Sequence, residues 1–243
     1  MFRLFRVSRL NCGTKYAIMR LQRKEVHPMY QKFVKRLIDL LLSACGIIVL
    51  IPVWVILAIA IKIDDPGPVF FTQKRIAQDK DGKQQFFKIY KYRSMKMRTP
   101  RDCPTHLLEN PEQYITKVGG FLRRTSLDEL PQIFNIFLGQ MSIIGPRPAL
   151  WNQDDLYAER AKYGANAVKP GLSGWAQING RDELPIHVKA RLDGEYVENL
   201  SFAFDVKCFF GTITAVLGSK GVVEGGTGTL EREKAAEKDH TQL

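Results

Sequence analysis

From Leu37 to Ile61 the chain is almost continuously apolar: 25 residues, LIDLLLSACGIIVLIPVWVILAIAI, hold a single ionisable group, Asp39. That length is enough to meet a bilayer. A straight helix of this size measures about 37 Å at the usual rise per residue. Pro52 interrupts it, because proline removes a backbone donor and crowds the preceding turn. A kink near Leu50 to Pro52 is therefore expected, and the arm before it, residues 37–51, covers only about 22 Å. Lys32, Lys35 and Arg36 precede the run and Lys62, Lys74 and Arg75 follow it, so a spanning helix would send one basic flank outward, against the positive-inside tendency. A segment that dips into one leaflet, bends at Pro52 and returns satisfies both flanks. The pattern predicts a re-entrant, monotopic helix over 37–61. Asp39, one turn from Lys35 and Arg36, is expected in a surface ion pair at the interface, with no part in chemistry.

After this segment the period changes. Asp65-Pro66-Gly67-Pro68 marks a turn, and residues 69–76 and 84–92 are β-branched or aromatic runs joined through Asp79-Lys80-Asp81-Gly82, which predicts a hairpin close to the membrane. Residues 99–117 are polar and read as a loop with a short helix. Residues 131–138 have helical apolar spacing, with Pro131 suited to the first turn and Gly139 to the end. Gly145-Pro146-Arg147-Pro148 reads as a stiff loop, and the run from Lys169 to Trp175 (KPGLSGW) as a glycine-rich one. Residues 205–217 are apolar and amphipathic, suited to an interfacial helix, and residues 225–243 form a polar, disordered tail. The expected fold is a membrane-associated α/β (α+β) domain with a small sheet. It divides into a basic lead (1–36), the re-entrant helix (37–61), a cytoplasmic catalytic domain (62–224) and the tail (225–243).

Charge sharpens the division. The 243 residues carry a net charge of +11, of which the first 36, with ten bases and one acid, Glu25, carry +9. The remainder is nearly balanced, so the fold as a whole is not a nucleic-acid binder, and the lead reads as a solvated or headgroup-binding arm. Phe86 to Arg93 alternates aromatic and basic residues, but one core face and one solvated face account for that. Met29, after the break at His27-Pro28, is an alternative start. Leu42 to Cys45 resembles a lipoprotein cleavage box and Ala58 to Ala60 a signal-peptidase site. The long basic lead and the apolar residues beyond Cys45 make both matches accidental, so the helix stays in the mature protein. Cys12, Cys45, Cys103 and Cys208 lie far apart, with no disulfide framework or zinc spacing, which fits a reducing compartment.

The candidate chemistry lies in carboxylates and constrained cations. His27, His106, His187 and His240 have no metal spacing, and neither a phosphate-binding glycine-lysine loop nor a dinucleotide fingerprint is present. Asp128 and Glu129 sit at or just before a helix start, with Arg123 and Arg124 one turn upstream. The plainer alternative is a capping box, Ser126-x-x-Glu129, with acids favoured in a first helical turn. Against it stand Arg147 between two prolines and Lys169 and Arg181 bracketing glycine-rich loops. Such rigid cations suit a diphosphate. A carboxylate that attacks phosphorus gives an acyl phosphate that a second acceptor resolves, and Mg²⁺ is its natural companion.

Four stretches carry a resemblance: KRLID at 35–39; FKIYKYRSM at 87–95; LRRTSLDELPQ at 122–132 with MSIIGPRP at 141–148; and KPGLSGWAQINGR at 169–181. Over about residues 30–224 the chain resembles the bacterial sugar transferase family, the small monotopic phosphoglycosyl transferases that begin lipid-linked glycan assembly. The resemblance implies that Asp128 is the nucleophile on the β-phosphate of a UDP-sugar, releasing UMP, and that polyprenol phosphate (undecaprenyl phosphate) then takes the phosphosugar. It implies that Glu129 helps Asp128 hold Mg²⁺, that Arg123 and Arg147 face the phosphates, and that Lys91, Lys169 and Arg181 assist. It also places the domain on the cytoplasmic face of the bacterial cytoplasmic membrane. The sugar, the glycan pathway and the oligomer, a homodimer among the options, stay open. Where the family's anchor often has serine before the breaking proline, this chain has Ile51-Pro52, so the bend is expected to depend on proline alone. The lead before Met29 is also longer than usual. A non-catalytic membrane-anchored binder of anionic lipid or nucleotide is the alternative from another class, and the two carboxylates count against it. Glycoside hydrolysis would need carboxylates flanking a bond from opposite sides, which neighbours in sequence do not supply.

Overall fold

A computed structural model describes residues 29–99, 110–180 and 184–218. The lead through residue 28, Arg181 and the 225–243 tail lie outside the described residues. A π-helical turn, Tyr30–Val34, runs into helix α1 (Lys35–Val49), and after Leu50 helix α2 (Ile51–Asp64) leaves at a bend of 61°. Among the described residues no single helix is long and apolar enough to cross a membrane; the bent pair together passes that test. Pro52 lies in the first turn of α2 rather than inside a continuous helix, where its missing N–H leaves no bond unmade. Proline does not act alone: the Trp54 indole donates to the Ile47 carbonyl at 3.1 Å, satisfying an acceptor at the break.

Burial along α1 is inverted relative to a soluble helix, whereas α2 buries Leu57 and Ile61. The buried residues of α1 are Lys35, Asp39 and Ser43, spaced by four, whereas Leu37, Leu41, Leu42, Ile48, Val49, Val55, Ile56 and Ile59 are exposed. One helical face thus carries its polar groups inward. Gly46 extends that face, and a Cβ there would come within 2.5 Å of the Ile133 side chain. Asp39 is accordingly not in a surface ion pair: it is 3% exposed, and its Oδ1 accepts from Ser142 Oγ at 3.1 Å and Ile143 N at 3.0 Å.

The hairpin forms as expected. Strands β1 (Phe70–Ile76) and β2 (Phe86–Tyr92) pair antiparallel, Phe71 opposite Lys91 and Arg75 opposite Phe87. Asp81 and Gly82, both at positive φ, make the two-residue turn between Lys80 and Lys83, the left-handed geometry for which Asp-Gly is suited. Then come α3 (Lys117–Arg124), capped by the Thr116 hydroxyl on Gly119 N, a 3₁₀ turn at Leu127–Glu129, and α4 (Gln132–Phe137), closed by Gly139 at φ +80°. The stiff loop and the glycine-rich loop are more ordered than their composition suggests: β3 (Ser142–Ile144) and β4 (Gly171–Ser173) pair in parallel. Their backbones approach so closely that a Cβ on Gly171 would lie 2.1 Å from Gly145 N, and one on Gly174 2.1 Å from Gly145 O. Helices α5 (Asp154–Tyr163), α6 (Trp175–Ile178), α7 (Ile186–Glu198) and α8 (Phe202–Gly218) complete a mixed α/β domain.

The candidate active site

The hairpin brings Lys91 to the site. Strand β2 is held on its open edge by Asn135, fully buried, whose side chain accepts from Tyr90 N at 2.9 Å and donates to Lys88 O at 2.8 Å, continuing the ladder that a third strand would make. Asn135 belongs to α4, so the same residue fixes the turn that carries the acids against the strand that carries the lysine.

In that turn Ser126 adopts φ +56° and makes no side-chain cap, so the capping-box alternative is not what the fold builds. Asp128 is 3% exposed. Lys91 Nζ bonds Glu129 Oε1 at 2.8 Å and lies 3.7 Å from Asp128 Oδ2. Arg147 forks onto Glu129, 2.9 Å to Oε1 and 3.4 Å to Oε2. Burial alone would raise the Glu129 pKa, but the Arg147 and Lys91 charges and their hydrogen bonds overcome it and hold the carboxyl well below the usual range. Glu129 is a fixed anion between two cations.

Arg147 is placed from both sides. The prolines restrict the backbone, Gly171 N bonds Pro146 O at 2.9 Å, and the Arg75 guanidinium donates to Pro148 O at 3.0 Å. Ile76 N bonds Ala149 O at 3.0 Å, which ties the end of β1 to the same segment. Arg75 was readable in the sequence only as one more flanking cation; nothing in its spacing points to Pro148.

The structure therefore brings together Asp128, Glu129, Lys91 and Arg147. Arg123, in the last turn of α3, donates from Nε to Ser94 Oγ at 2.9 Å, just beyond β2. Lys169 lies elsewhere, lining a cavity with Gly139, Gln140, Asp79 and Lys80; burial first, and then the nearby Arg36 guanidinium, push its amine below the usual lysine range. Among the described residues no three His, Cys, Asp or Glu side chains are grouped to hold a metal ion.

A family model described as bacterial sugar transferase matches residues 30–219. The chain is 40% identical over 189 residues to the UDP-glucose:undecaprenyl-phosphate glucose-1-phosphate transferase of Escherichia coli (strain K12), an alignment covering 75% of this chain and 40% of that protein. It is 39% identical over 203 residues to the sugar transferase EpsL of Bacillus subtilis (strain 168), covering 82% and 94%. It is also similar, 34% over 195 residues, to the UDP-N-acetylgalactosamine-undecaprenyl-phosphate N-acetylgalactosaminephosphotransferase of Aeromonas hydrophila, covering 78% of this chain and 45% of that one. The chain thus spans less than half of the first and third of these relatives. The family match begins at the turn that enters the bent helix pair, passes through every residue of the Lys91, Asp128, Glu129 and Arg147 cluster and runs to the last described helix: the chain belongs to the bacterial sugar transferase family.

Proposed function

We propose that the chain is a phosphoglycosyl transferase that moves a phosphosugar from a UDP-sugar to polyprenol phosphate, undecaprenyl phosphate in the relatives' case, through a covalent intermediate on Asp128. The observation that carries the reading is the cluster itself, a buried aspartate beside a glutamate already pinned by two cations. Arg147 and Lys91 supply the positive charge that a diphosphate needs, in the planar fork and the point charge suited to phosphate oxygens. An oxygen of Asp128 attacks the β-phosphorus, the bond from that phosphorus to the bridging oxygen breaks, and UMP departs with the electron pair. The phosphosugar stays on Asp128 as an acyl phosphate. An oxygen of polyprenol phosphate then attacks the same phosphorus, the acyl phosphate P–O bond breaks, and Asp128 recovers its carboxylate as the polyprenyl diphosphate sugar leaves.

The donor set suits Mg²⁺, a hard cation held by one or two carboxylates with substrate phosphates completing its shell. Asp128 and Glu129 are adjacent oxygen donors, and the Glu129 Oε2 bond to Arg147 is long at 3.4 Å. When bound, the ion would neutralise charge developing on the phosphate oxygens. The test is UMP release from a panel of UDP-sugars with polyprenol phosphate and Mg²⁺, alongside capture of radiolabelled phosphosugar on the protein. Wild type should be labelled, and folded Asp128→Asn should not. Near-normal UMP release by Asp128→Asn would remove it as nucleophile.

The bent pair serves this reaction as a re-entrant anchor in the cytoplasmic membrane, keeping the domain on the cytoplasmic face. Its exposed face is apolar, and both ends are tied to one body: Arg36 donates to the Ile136 and Phe137 carbonyls at 2.7 Å, while Asp64 accepts from Val118 N at 2.7 Å. In a variant lacking the native cysteines, Lys32→Cys and Pro66→Cys should both resist an impermeant thiol reagent added outside intact cells. External labelling at position 32 alone would establish a spanning topology instead.

A further inference from the structure

The segment that delivers Arg147 starts in the membrane helix's own polar stripe. Strand β3 is gripped from two sides by one buried cluster. On one side Asp39 accepts from Ser142 Oγ and Ile143 N. On the other, the hydroxyl of Tyr196, a residue 1% exposed, lies 2.7 Å from Asp205 Oδ1 and 3.1 Å from Ile144 O, its one proton shared between the two acceptors. Asp205 closes the cluster back to the anchor, taking Lys35 Nζ at 2.5 Å and the Tyr30 hydroxyl at 2.6 Å on Oδ2. Ile144 is followed directly by Gly145, pinned by its N–H to Ser173 O at 2.7 Å, and two residues later by Arg147. There is little slack between the clasp and the guanidinium. Two residues of backbone, a glycine locked against β4 and a proline, separate a hydrogen-bonded strand from the arginine that forks onto Glu129.

We infer that Asp39 is a positioning residue for the reaction: by holding the Ile143 amide and Ser142 hydroxyl it sets the register of β3, and through it the placement of Arg147, so that the seated anchor helix and the phosphate-binding arginine form one mechanical unit. This rests on the phosphoglycosyl transfer reading for its consequence in turnover, but the clasp itself can be measured without turnover. The requirement is for an acceptor oxygen at the end of the Asp39 side chain, not for its charge, because both donors it takes are neutral groups. Asp39→Asn keeps that oxygen and Asp39→Ala removes it, leaving the buried Ser142 hydroxyl and the half-buried Ile143 amide without their acceptor.

The experiment uses the full chain in membrane-mimetic particles, at matched folded fraction. Hydrogen exchange over residues 142–148 should rise at least tenfold in Asp39→Ala and stay within threefold of wild type in Asp39→Asn. In parallel, kcat/KM for the UDP-sugar should fall at least tenfold in Asp39→Ala and less than threefold in Asp39→Asn. Placed on an Arg147→Ala background, Asp39→Ala should cost less than a further twofold, since the residue acts through the arginine. Unchanged exchange in Asp39→Ala overturns the clasp. Equal losses in both Asp39 variants, or the same factor with and without Arg147, would leave Asp39 a general stabiliser and overturn the positioning role. If wild type released no UMP from any donor, the functional reading would fall, and the exchange comparison would still decide the clasp.

Discussion

Two clusters of carboxylates bracket residues 142–148, built from nearly the same residue types, and they are closed in different ways. At the anchor end, Asp205 and Asp39 are met by Lys35, by two phenolic hydroxyls, by a serine and by a backbone amide. At the other end, Glu129 is met by the ends of two long cations, and the Arg147 side chain keeps 30% of its surface exposed. The donors of the first cluster belong to the backbone or to side chains packed in the fold, Lys35 at 9% exposure and Tyr196 at 1%, and cannot leave without undoing it, so the first cluster is a joint. Long cations on a carboxylate can turn toward a better anion when one arrives, and a diphosphate is such an anion. Ion pairs announce function less by their acids and bases than by what would be lost if the partners exchanged.

The largest effect expected from this contrast is in stability. Asp205→Ala leaves Lys35 charged and buried with its carboxylate gone, which should cost about 3–5 kcal/mol. Lys91→Met also removes a cation from a carboxylate, but Glu129 keeps both bonds to Arg147. Thermal melts of the two variants in the same detergent should show Asp205→Ala lowered by at least twice as much as Lys91→Met, while Lys91→Met loses turnover at temperatures where it is fully folded. Equal melting temperatures would erase the distinction between joint and site.

The same contrast explains what could be read in advance. The bend, the hairpin and the Asp128 and Glu129 turn are local events, signalled by proline, by Asp-Gly and by apolar spacing within a few residues. Arg147 stands out in the sequence as a cation constrained by two prolines, whereas Lys91 reads from its pattern only as part of a strand with one core and one solvated face, and the resemblance alone groups it with the acids. The joint was not legible. Asp39 was assigned to its helical neighbours Lys35 and Arg36, whereas its partners stand 103 and 104 residues away. Helices α5 and α7 gave no periodic signal because α5 buries only Leu156 and Arg160, and α7 buries Asp193 and Gly194 among its apolar residues. Arg160 and Asp193 pair at 2.7 Å, and Gly194 lets α7 approach the Tyr163 side chain so closely that a Cβ would lie 2.5 Å away. A buried ion pair and a close crossing look polar and breakable in a sequence. Lys169 was grouped with the phosphate cations for its glycine-rich neighbourhood, but the fold sets it beside Arg36, at the anchor end.

A smaller change probes whether the second cluster truly exchanges partners. Arg147→Lys keeps the charge and reaches for Glu129 with a single point donor, but loses the planar fork. If Arg147 serves only to hold Glu129, the lysine should replace it, with a stability change of no more than about 1 kcal/mol and turnover unaltered. If the guanidinium leaves Glu129 to grip the diphosphate, the missing second donor should appear as a loss in kcat/KM of about tenfold, equivalent to about 1.4 kcal/mol of transition-state stabilisation. Arg147→Ala should fall further, because charge is lost along with geometry. The measurement is kcat/KM for the UDP-sugar in wild type and both variants at matched folded fraction. The expected order, wild type above lysine above alanine, would show the cation at work on substrate. Equal values in all three would return Arg147 to the scaffold and make the second cluster a joint like the first.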